Sequence, residues 1–115
     1  MAGPAPLSPT PGDGAADAVF AALADPTRRH LVEMLAAEPG ATATSLASEL
    51  PISRQAVAKH LATLDHAGLV HSRRRGRELR FELEPRPLAD AAAWMATVGA
   101  EWDGHLERLR RLLEH

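Results

Sequence analysis

Apolar residues recur at three- and four-residue steps in several stretches of the chain, and this spacing predicts amphipathic helices. Val57, Leu61 and Leu64 form one such stripe, which a helix would turn towards a core. Ser53 stands just before the stripe and can cap the helix by accepting backbone N–H bonds. Gly68 follows the last apolar residues and can end the helix in a left-handed conformation. The pattern therefore predicts a capped helix between Ser53 and Gly68, with its polar face turned outward.

A shorter apolar pattern precedes this helix and ends at a proline. Thr42 or Thr44 can cap a short helix that contains Leu46 and Leu50. Pro51 cannot continue that helix, because its nitrogen has no hydrogen to donate and its ring restricts the preceding residue. The pattern predicts two helices joined by a turn of roughly three to four residues, which is the helix-turn-helix motif.

Two extended patterns follow directly after Gly68. They occupy residues 69–73 and 78–83, and the second alternates polar and apolar side chains as a half-buried strand does. The segment Arg74-Arg75-Gly76-Arg77 lies between them and predicts a hairpin with a cationic tip. The expected fold is therefore mainly α with a small β-hairpin wing, a winged helix-turn-helix with the element order α-α-α-α-β-β-α.

The last part of the chain carries the longest apolar seam. Its members are Leu88, Ala91, Met95, Val98, Trp102, Leu106, Leu109 and Leu113. This spacing predicts a helix of about 25 residues, too long for so small a domain to cover. We expect the seam to pack against a second copy of the chain. The predicted dimer interface, through the first and last helices, comprises Val19, Phe20, Leu23, Met95, Val98, Trp102, Leu106 and Leu109. The alternative is that Trp94 and Trp102 only fill the core of a single chain.

Charge is divided unevenly along the 115 residues. The formal net charge of the whole chain is only −2, which taken alone argues against binding to nucleic acid. Residues 54–80, however, hold seven cationic side chains against Asp65 and Glu78, a net charge of +5 that leaves −7 for the remainder. This division predicts a positive potential on the second helix and the hairpin, where DNA phosphates would bind. The alternative is that the arginines are ordinary solvated loop residues.

Side-chain geometry suggests a role for each outward residue of this helix. Arg54 can pair with guanine and Gln55 with adenine in the major groove. Lys59, His60 and Ser53 are better suited to phosphates, although His60 can equally be a packed, hydrogen-bonded residue beside the core. The predicted DNA-binding residues are Ser53, Arg54, Gln55, Ala56, Ala58, Lys59, His60, Arg73, Arg74, Arg75 and Arg77.

The rest of the composition narrows the class of protein. The chain has no cysteine, which excludes disulfides and thiolate metal sites. It has no apolar stretch long enough for a membrane and no secretory signal pattern, so we expect a cytoplasmic protein. Nucleophile motifs and glycine-rich phosphate loops are also absent, so we do not expect an enzyme. Residues 1–16 are rich in proline and glycine and predict a disordered tail, which leaves residues 17–115 as the structured domain.

Three segments resemble the ArsR/SmtB family of bacterial dimeric winged-helix transcription regulators. They are residues 24–35, residues 53–61 and residues 64–76. The first looks like the family's entry to its second helix, with Asp25 as the cap and Pro26 at the first helical position. The other two look like the recognition helix and its passage into the wing. The resemblance covers about residues 17–115 and implies a homodimer on an inverted-repeat operator, with its recognition helices about 34 Å apart.

The resemblance also raises the question of a metal effector. Metal-responsive relatives place Asp, His and Glu ligands on the last helix, and Asp103-Gly104-His105 begins their pattern. The chain ends at His115, so that pattern is incomplete. Glu101, His105 and His115 can still form a nickel or zinc site across a dimer. The alternative is that these are surface histidines among helical charge pairs such as Glu107 with Arg111.

Together these patterns favour a homodimeric, sequence-specific DNA-binding transcriptional regulator, with repression as the expected mode. Two alternatives stay open at this stage. One is a metal-responsive member of the same family, with nickel or zinc as the effector. The other is a winged-helix module that associates with a partner or co-regulator protein instead of DNA.

Overall fold

A computed structural model describes residues 13–113, which form five helices and three strands. In chain order these are α1 (Asp13–Ala22), α2 (Pro26–Ala37), β1 (Ala41–Thr42), α3 (Ala43–Ala47), α4 (Arg54–His66), β2 (Val70–Arg75), β3 (Glu78–Leu83) and α5 (Pro85–Leu113). Helices α3 and α4 are the helix-turn-helix, and β2 and β3 form the wing. The mainly α winged helix-turn-helix predicted from the sequence is confirmed, with one additional short strand.

The core forms where the apolar stripes of the helices meet the sheet. Its fully buried side chains, each less than 2% exposed, are Val19, Leu31, Leu35, Leu46, Val57, Leu61, Leu64, Leu69 and Val70. The predicted inward stripe of the second helix of the motif is therefore confirmed, because Val57, Leu61 and Leu64 are all buried. This burial fixes the rotation of α4 and turns its remaining side chains outward.

Side-chain caps start three of the helices. The carboxylate of Asp25 accepts the backbone N–H of Arg28 at 3.0 Å and starts α2, with Pro26 at the first position. Ser53 starts α4 by accepting the N–H of Ala56 at 3.0 Å, as predicted. Thr42, one of the two candidates, starts α3 in a reciprocal pair with Ser45. Each cap satisfies a backbone donor that the helix itself leaves unpaired.

The connection between α3 and α4 is longer than the sequence predicts. Helix α3 ends at Ala47 and α4 begins at Arg54, so residues 48–53 connect them. The hydroxyl of Ser48 donates to the carbonyl of Ser45, and the N–H of Leu50 bonds the carbonyl of Ala47. These short-range bonds end the helix before Leu50, which the apolar pattern had placed inside it. The prediction of a three-to-four-residue turn was wrong for that reason.

The three strands form an antiparallel sheet in the order β1-β3-β2. Arg75 pairs with Glu78, so Arg74 and Arg75 belong to β2 and the turn contains only Gly76 and Arg77. Gly76 has a φ of 61°, and a glycine is favoured at that position of a two-residue hairpin. The predicted four-residue tip was therefore wrong, because pairing between the strands continues to the end of the hairpin.

Strand β1 was not predicted. It consists of Ala41 and Thr42, which pair with Phe81 and Arg80 on β3. The N–H of Gly40 also bonds the carbonyl of Phe81 at 2.9 Å. Two residues are too few to show an alternating pattern, so this strand depends on contacts distant in sequence. It joins the start of α3 to the middle of the wing.

Helix α1 begins at Asp13, four residues before the boundary predicted for the structured domain. Residues 13–16 therefore belong to a helix and not to the disordered tail. Alanine has the highest helix propensity, and Ala15 and Ala16 extend the helix ahead of its apolar residues. The rest of the predicted tail, residues 1–12, lies outside the described residues.

Helix α5 has 29 residues, a little more than predicted, and packs against α1. Ala91 is buried at this contact, whereas most apolar residues further along α5 are exposed. Val19 of α1 is only 1% exposed within the single chain. Its assignment to a dimer interface was therefore wrong, since it faces its own core and leaves no surface for a partner. Among residues 13–113, no helix combines the length and the apolar character needed to cross a membrane.

Candidate nucleic-acid interface

The outward face of α4 presents a row of polar and small side chains. Arg54, Gln55, Ala58 and Lys59 are exposed, whereas Ala56 is half-buried. The capped start of the helix holds Ser53 at the same end of this face, also exposed. These side chains are free to contact a ligand because the opposite stripe holds the helix on the core. The structure thus brings five of the predicted residues to the exposed side of the motif, Ser53, Arg54, Gln55, Ala58 and Lys59, and leaves Ala56 and His60 partly covered.

Arg54 is held by a neighbouring helix. Its Nε donates to the hydroxyl oxygen of Thr44 at 3.1 Å, although the two residues are ten apart in sequence. Both residues line a groove between the helix-turn-helix and the wing. This contact was not predicted, because nothing in the local pattern relates α3 to the first residue of α4. It gives Arg54 a fixed direction, towards the wing.

His60 is half-buried and contacts an arginine from α2. The Nη1 of Arg28 lies 3.5 Å from the Nδ1 of His60. A guanidinium group can only donate, so this contact is a hydrogen bond only in a tautomer whose Nδ1 carries a lone pair. This half-buried position beside Arg28 favours the alternative of a packed histidine.

Arg28 was not identified from the sequence, yet it links three helices. Its Nε donates to the carbonyl of Ala22 at 2.6 Å and its Nη2 to that of Ala21 at 3.3 Å, so it closes the end of α1. The backbone N–H of Arg28 lowers the pKa of Asp25 below its ordinary value. Burial opposes this shift in pKa, and the charges of His60 and Arg28 add to it. The Asp-Pro-Thr-Arg run around the α2 cap was the available signal, and only its capping role was recognised.

The wing arginines differ in their partners. Arg73 lies 3.7 Å from Glu82, and Arg80 pairs with Glu78 at 2.7 Å. Within residues 13–113, no acidic side chain forms an ion pair with any of the three arginines nearest the tip. These are Arg74, Arg75 and Arg77, all exposed. The predicted cationic tip is thus a set of exposed and electrostatically uncompensated side chains.

At the base of the wing, a histidine lies close to two carboxylates. The Nε2 of His71 lies 3.3 Å from Glu82, and its Nδ1 lies 3.1 Å from Glu84. Both carboxylates lie at the end of the hairpin furthest from the tip. Two carboxylates thus lie at the base of the wing and the uncompensated arginines at its tip, which makes the tip the more positive end.

A second surface, on α5, is apolar. We call the exposed residues of this surface the α5 apolar face. Its members, with their exposed fractions, are Trp94 49%, Met95 51%, Leu106 54%, Leu109 52%, Leu112 74% and Leu113 78%. The ring of Trp94 also contacts that of Phe20 on α1, with centroids 5.8 Å apart and planes inclined by 55°. Trp94 therefore only partly fills the core of one chain, and Leu112 is an exposed member that the sequence pattern did not include.

The other predicted dimer residues have mixed positions. Phe20 and Leu23 are half-buried against the core, and Val98 is half-buried on α5. The side chain of Trp102 lies outside the described part of the structure. Phe20 borders the α5 apolar face through its contact with Trp94, and none of Phe20, Leu23 and Val98 is fully covered.

The candidate metal ligands are only partly described. Glu101 and His105 lie one turn apart on α5, and His115 falls outside the described residues. Among residues 13–113 there is no group of three or more histidine or acidic side chains suited to a metal ion. A single chain therefore contributes at most an incomplete ligand set from this part of α5.

Comparison with known proteins identifies the fold and the motif. A family model described as a helix-turn-helix domain matches residues 23–73. The chain is similar to an ArsR-like transcriptional regulator from Rhodococcus sp. RHA1, with 40% identity, a TM-score of 0.76, and coverage of 86% of this chain and 92% of that one. It is also 32% identical to the transcriptional repressor SdpR of Bacillus subtilis, over 76% of this chain and 97% of that protein.

A third relative is a dimer. The homodimeric winged helix-turn-helix DNA-binding domain Mb0332 from Mycobacterium bovis aligns with a TM-score of 0.58 and 25% identity, over 83% of this chain and 84% of that one. The family model covers α4 in full and reaches the first wing strand. The chain belongs to the ArsR family of winged helix-turn-helix transcriptional regulators, which are not enzymes.

Proposed function

We propose that this regulator binds an inverted-repeat operator as a homodimer and represses transcription in the cytoplasm. In each subunit α4 lies in the major groove and the wing lies along the adjacent backbone. The observation that carries the proposal is the row of exposed side chains on α4 beside three uncompensated arginines of the wing. Such a surface combines groups that read bases with groups that neutralise phosphates.

Within this interface, the side chains divide into readers of bases and binders of phosphates. Gln55 is exposed at the start of α4 and forms the bidentate pair with adenine. Lys59 is exposed and His60 is half-buried beside it, and both bind phosphates. Arg75 and Arg73 contact the backbone or the minor groove beside it. Ala56 and Ala58 allow α4 to approach the bases closely.

The dimer is proposed from the α5 apolar face. Four leucines and two other large apolar side chains are about half or more exposed on one helix, which is unfavourable in water. A second copy of the same helix would cover them, and the homodimeric relative from Mycobacterium bovis supports this occupant. The two-fold symmetry of such a dimer would present two α4 helices to two successive turns of DNA.

Repression is proposed from both similarity and mechanism. SdpR, which is similar over most of its length, is a transcriptional repressor. A small dimer that covers its operator excludes other proteins from that DNA simply by occupying it. Two further hypotheses are that nickel or zinc changes DNA binding and that a co-regulator protein associates with the dimer. Titration of DNA with and without each metal tests the first.

The experiment measures binding by fluorescence anisotropy to DNA selected from a random duplex library. We expect a recovered inverted repeat to bind at least about a thousandfold more tightly than a scrambled duplex at physiological salt. The affinity should fall steeply as salt is raised, since each phosphate contact adds about 0.9 to the slope of log affinity against log salt. Failure to enrich any sequence would contradict the proposal and favour association with a protein.

The same titration is repeated with the metal-stripped protein, then with excess zinc and with excess nickel. A change in affinity of tenfold or more, about 1.4 kcal/mol of coupling, would establish a metal-responsive regulator. Unchanged binding would contradict the metal hypothesis and leave the DNA-binding function intact.

A further inference from the structure

A groove of about 700 Å³ separates the helix-turn-helix from the wing. Thr44 of α3 and Arg54 of α4 form one wall, and Arg74, Arg77 and Glu78 of the wing form the other. The groove is open to solvent and borders the exposed face of α4. It therefore adjoins the surface proposed to meet DNA, and its own lining indicates what it can hold.

The charge of the groove is positive. Three of its lining residues, Arg54, Arg74 and Arg77, form no ion pair with any acidic side chain in the described part of the chain. The one carboxylate of the lining belongs to Glu78, and it accepts from both Nη2 and Nε of Arg80, at 2.7 and 3.1 Å. Its charge is thus compensated by a residue outside the lining. The uncompensated excess favours an anion in the groove.

The wing arginines divide between two faces because side chains alternate along a strand. Arg74 pairs with Leu79, which lies two residues before the buried Phe81 on the same face of β3. Arg74 therefore faces the groove together with Leu79. Arg73 and Arg75 occupy the opposite face of the hairpin and do not line the groove. Only part of the cationic wing is available to this site.

Arg54 keeps hydrogen-bond donors available for a ligand in the same groove. Its bond to Thr44 uses one of its five N–H donors and leaves four for a ligand. Thr44 acts as the acceptor in that bond, so its own hydroxyl hydrogen stays available to donate. A planar guanidinium held in this way can form two parallel bonds to a tetrahedral oxyanion, as it commonly does with phosphate.

We propose that this groove binds one phosphodiester of the DNA backbone between Arg54 of the recognition helix and Arg74 and Arg77 of the wing. The inference rests on the proposed function and changes one part of the prediction from sequence. Arg54 then sets the affinity and the register of α4 in the major groove, and it does not read guanine. Base reading at the start of α4 is left to Gln55.

The test replaces single backbone phosphates of the selected duplex by uncharged methylphosphonates, one position at a time. For the wild type, one position in each half-site should weaken binding about tenfold, the loss expected for a charge-assisted hydrogen bond. The Arg54→Ala variant should bind that substituted duplex and the natural duplex equally well. Inorganic phosphate, added at matched ionic strength as a free anion, should not compete with the duplex.

A pair of double-substitution cycles supplies the matched control. Arg54→Ala and Arg74→Ala should together weaken binding by less than the product of their separate effects, because both act on one phosphate. Arg75→Ala removes the same charge from the opposite face of the hairpin. The loss of affinity in the double variant Arg54→Ala, Arg75→Ala should therefore equal the product of the two single losses. Circular dichroism confirms that each variant is folded.

The outcomes separate the two proposals. In one outcome, the wild type binds DNA selectively while no methylphosphonate position distinguishes it from Arg54→Ala. That result overturns the proposed phosphodiester site alone. So does an altered base preference of Arg54→Ala in a new selection, since that would make Arg54 a reader of bases. Competition by inorganic phosphate would also overturn it, by showing a free-anion site. Absence of any DNA binding by the wild type overturns both the proposed phosphodiester site and the proposed function.

Discussion

Helices α4 and α5 carry the same kind of apolar stripe, at three- and four-residue steps, yet the stripe of α4 is buried and much of that of α5 is exposed. In α4, Val57, Leu61 and Leu64 are completely buried by the rest of the chain. In α5, Leu106 and Leu109 are about half exposed, whereas Ala91 near its start is buried. The difference lies in what surrounds each helix, because α4 contacts helices and a strand, whereas α5 packs mainly on α1.

This difference shows what each surface lacks. The apolar stripe of α4 is covered within one chain, so its exposed face is the polar one, which suits the anionic partner that we propose. The exposed face of α5 is apolar, so its missing partner is another apolar surface. The two kinds of exposure together match a dimer that binds DNA, with the contacts between subunits and the contacts to DNA on separate helices.

The largest expected effect comes from truncating the covered stripe. Leu61→Ala removes a fully buried side chain from α4 and should lower the free energy of unfolding by about 2–5 kcal/mol. Urea denaturation followed by circular dichroism measures this loss. A loss below about 1 kcal/mol would show that α4 is not held on the core as described, and the comparison with α5 would fail.

The second-largest effect is expected from a substitution in the α5 apolar face. Leu106→Asp places a carboxylate in the α5 apolar face, where a dimer would have to bury it at a cost of several kcal/mol. Analytical ultracentrifugation should show the dissociation constant of the dimer rising about a hundredfold or more. Ala100→Asp is the control, since Ala100 is exposed on the opposite side of α5. Equal effects of both substitutions, or a monomeric wild type, would contradict the dimer.

Within the DNA-binding surface, two substitutions should differ in kind. Gln55→Ala should relax the preference for one operator base by about 1–3 kcal/mol, since it removes a base contact. Arg75→Ala should weaken all sequences alike and lower the salt slope by about 0.9, since it removes a phosphate contact. Selection from random DNA together with salt titration separates the two. Identical effects would show that this assignment of roles is incorrect.

The smallest effect concerns the local start of α4. Ser53→Ala removes the acceptor of the Ala56 N–H and should destabilise the protein by about 1 kcal/mol. Ser53→Asp serves as the matched variant, because aspartate caps equally well and should keep the thermal stability close to that of the wild type. If Ser53→Ala and Ser53→Asp melt at the same temperature, the cap contributes nothing measurable.

Local patterns predicted the helices and the wing because each depends on residues close together in sequence. The stripe of α4, the caps at Asp25 and Ser53, and the positive φ of Gly68 all follow from short-range chemistry. Strand β1 and the two-residue wing turn could not be predicted in the same way. Both result from pairing with β3, which depends on contacts distant in sequence.

The candidate site was predicted as a set of residues but not as an arrangement. Outward positions on α4 follow from the rotation that the apolar stripe imposes. The contact of Arg54 with Thr44, and that of His60 with Arg28, join different helices and leave no periodic signal in the sequence. The position of Val19 was predicted incorrectly for a related reason, since an apolar pattern does not say which neighbour will cover it.

The spacing of the two half-sites tests the central claim, a symmetric dimer that reads both halves of one operator, most directly. About five base pairs, half a turn of the double helix, are inserted between the halves of the selected inverted repeat, and binding is measured by fluorescence anisotropy. A rigid dimer cannot then place both α4 helices in the major groove, so the affinity should fall about a hundredfold towards that of a single half-site. Unchanged affinity would contradict binding by a symmetric dimer.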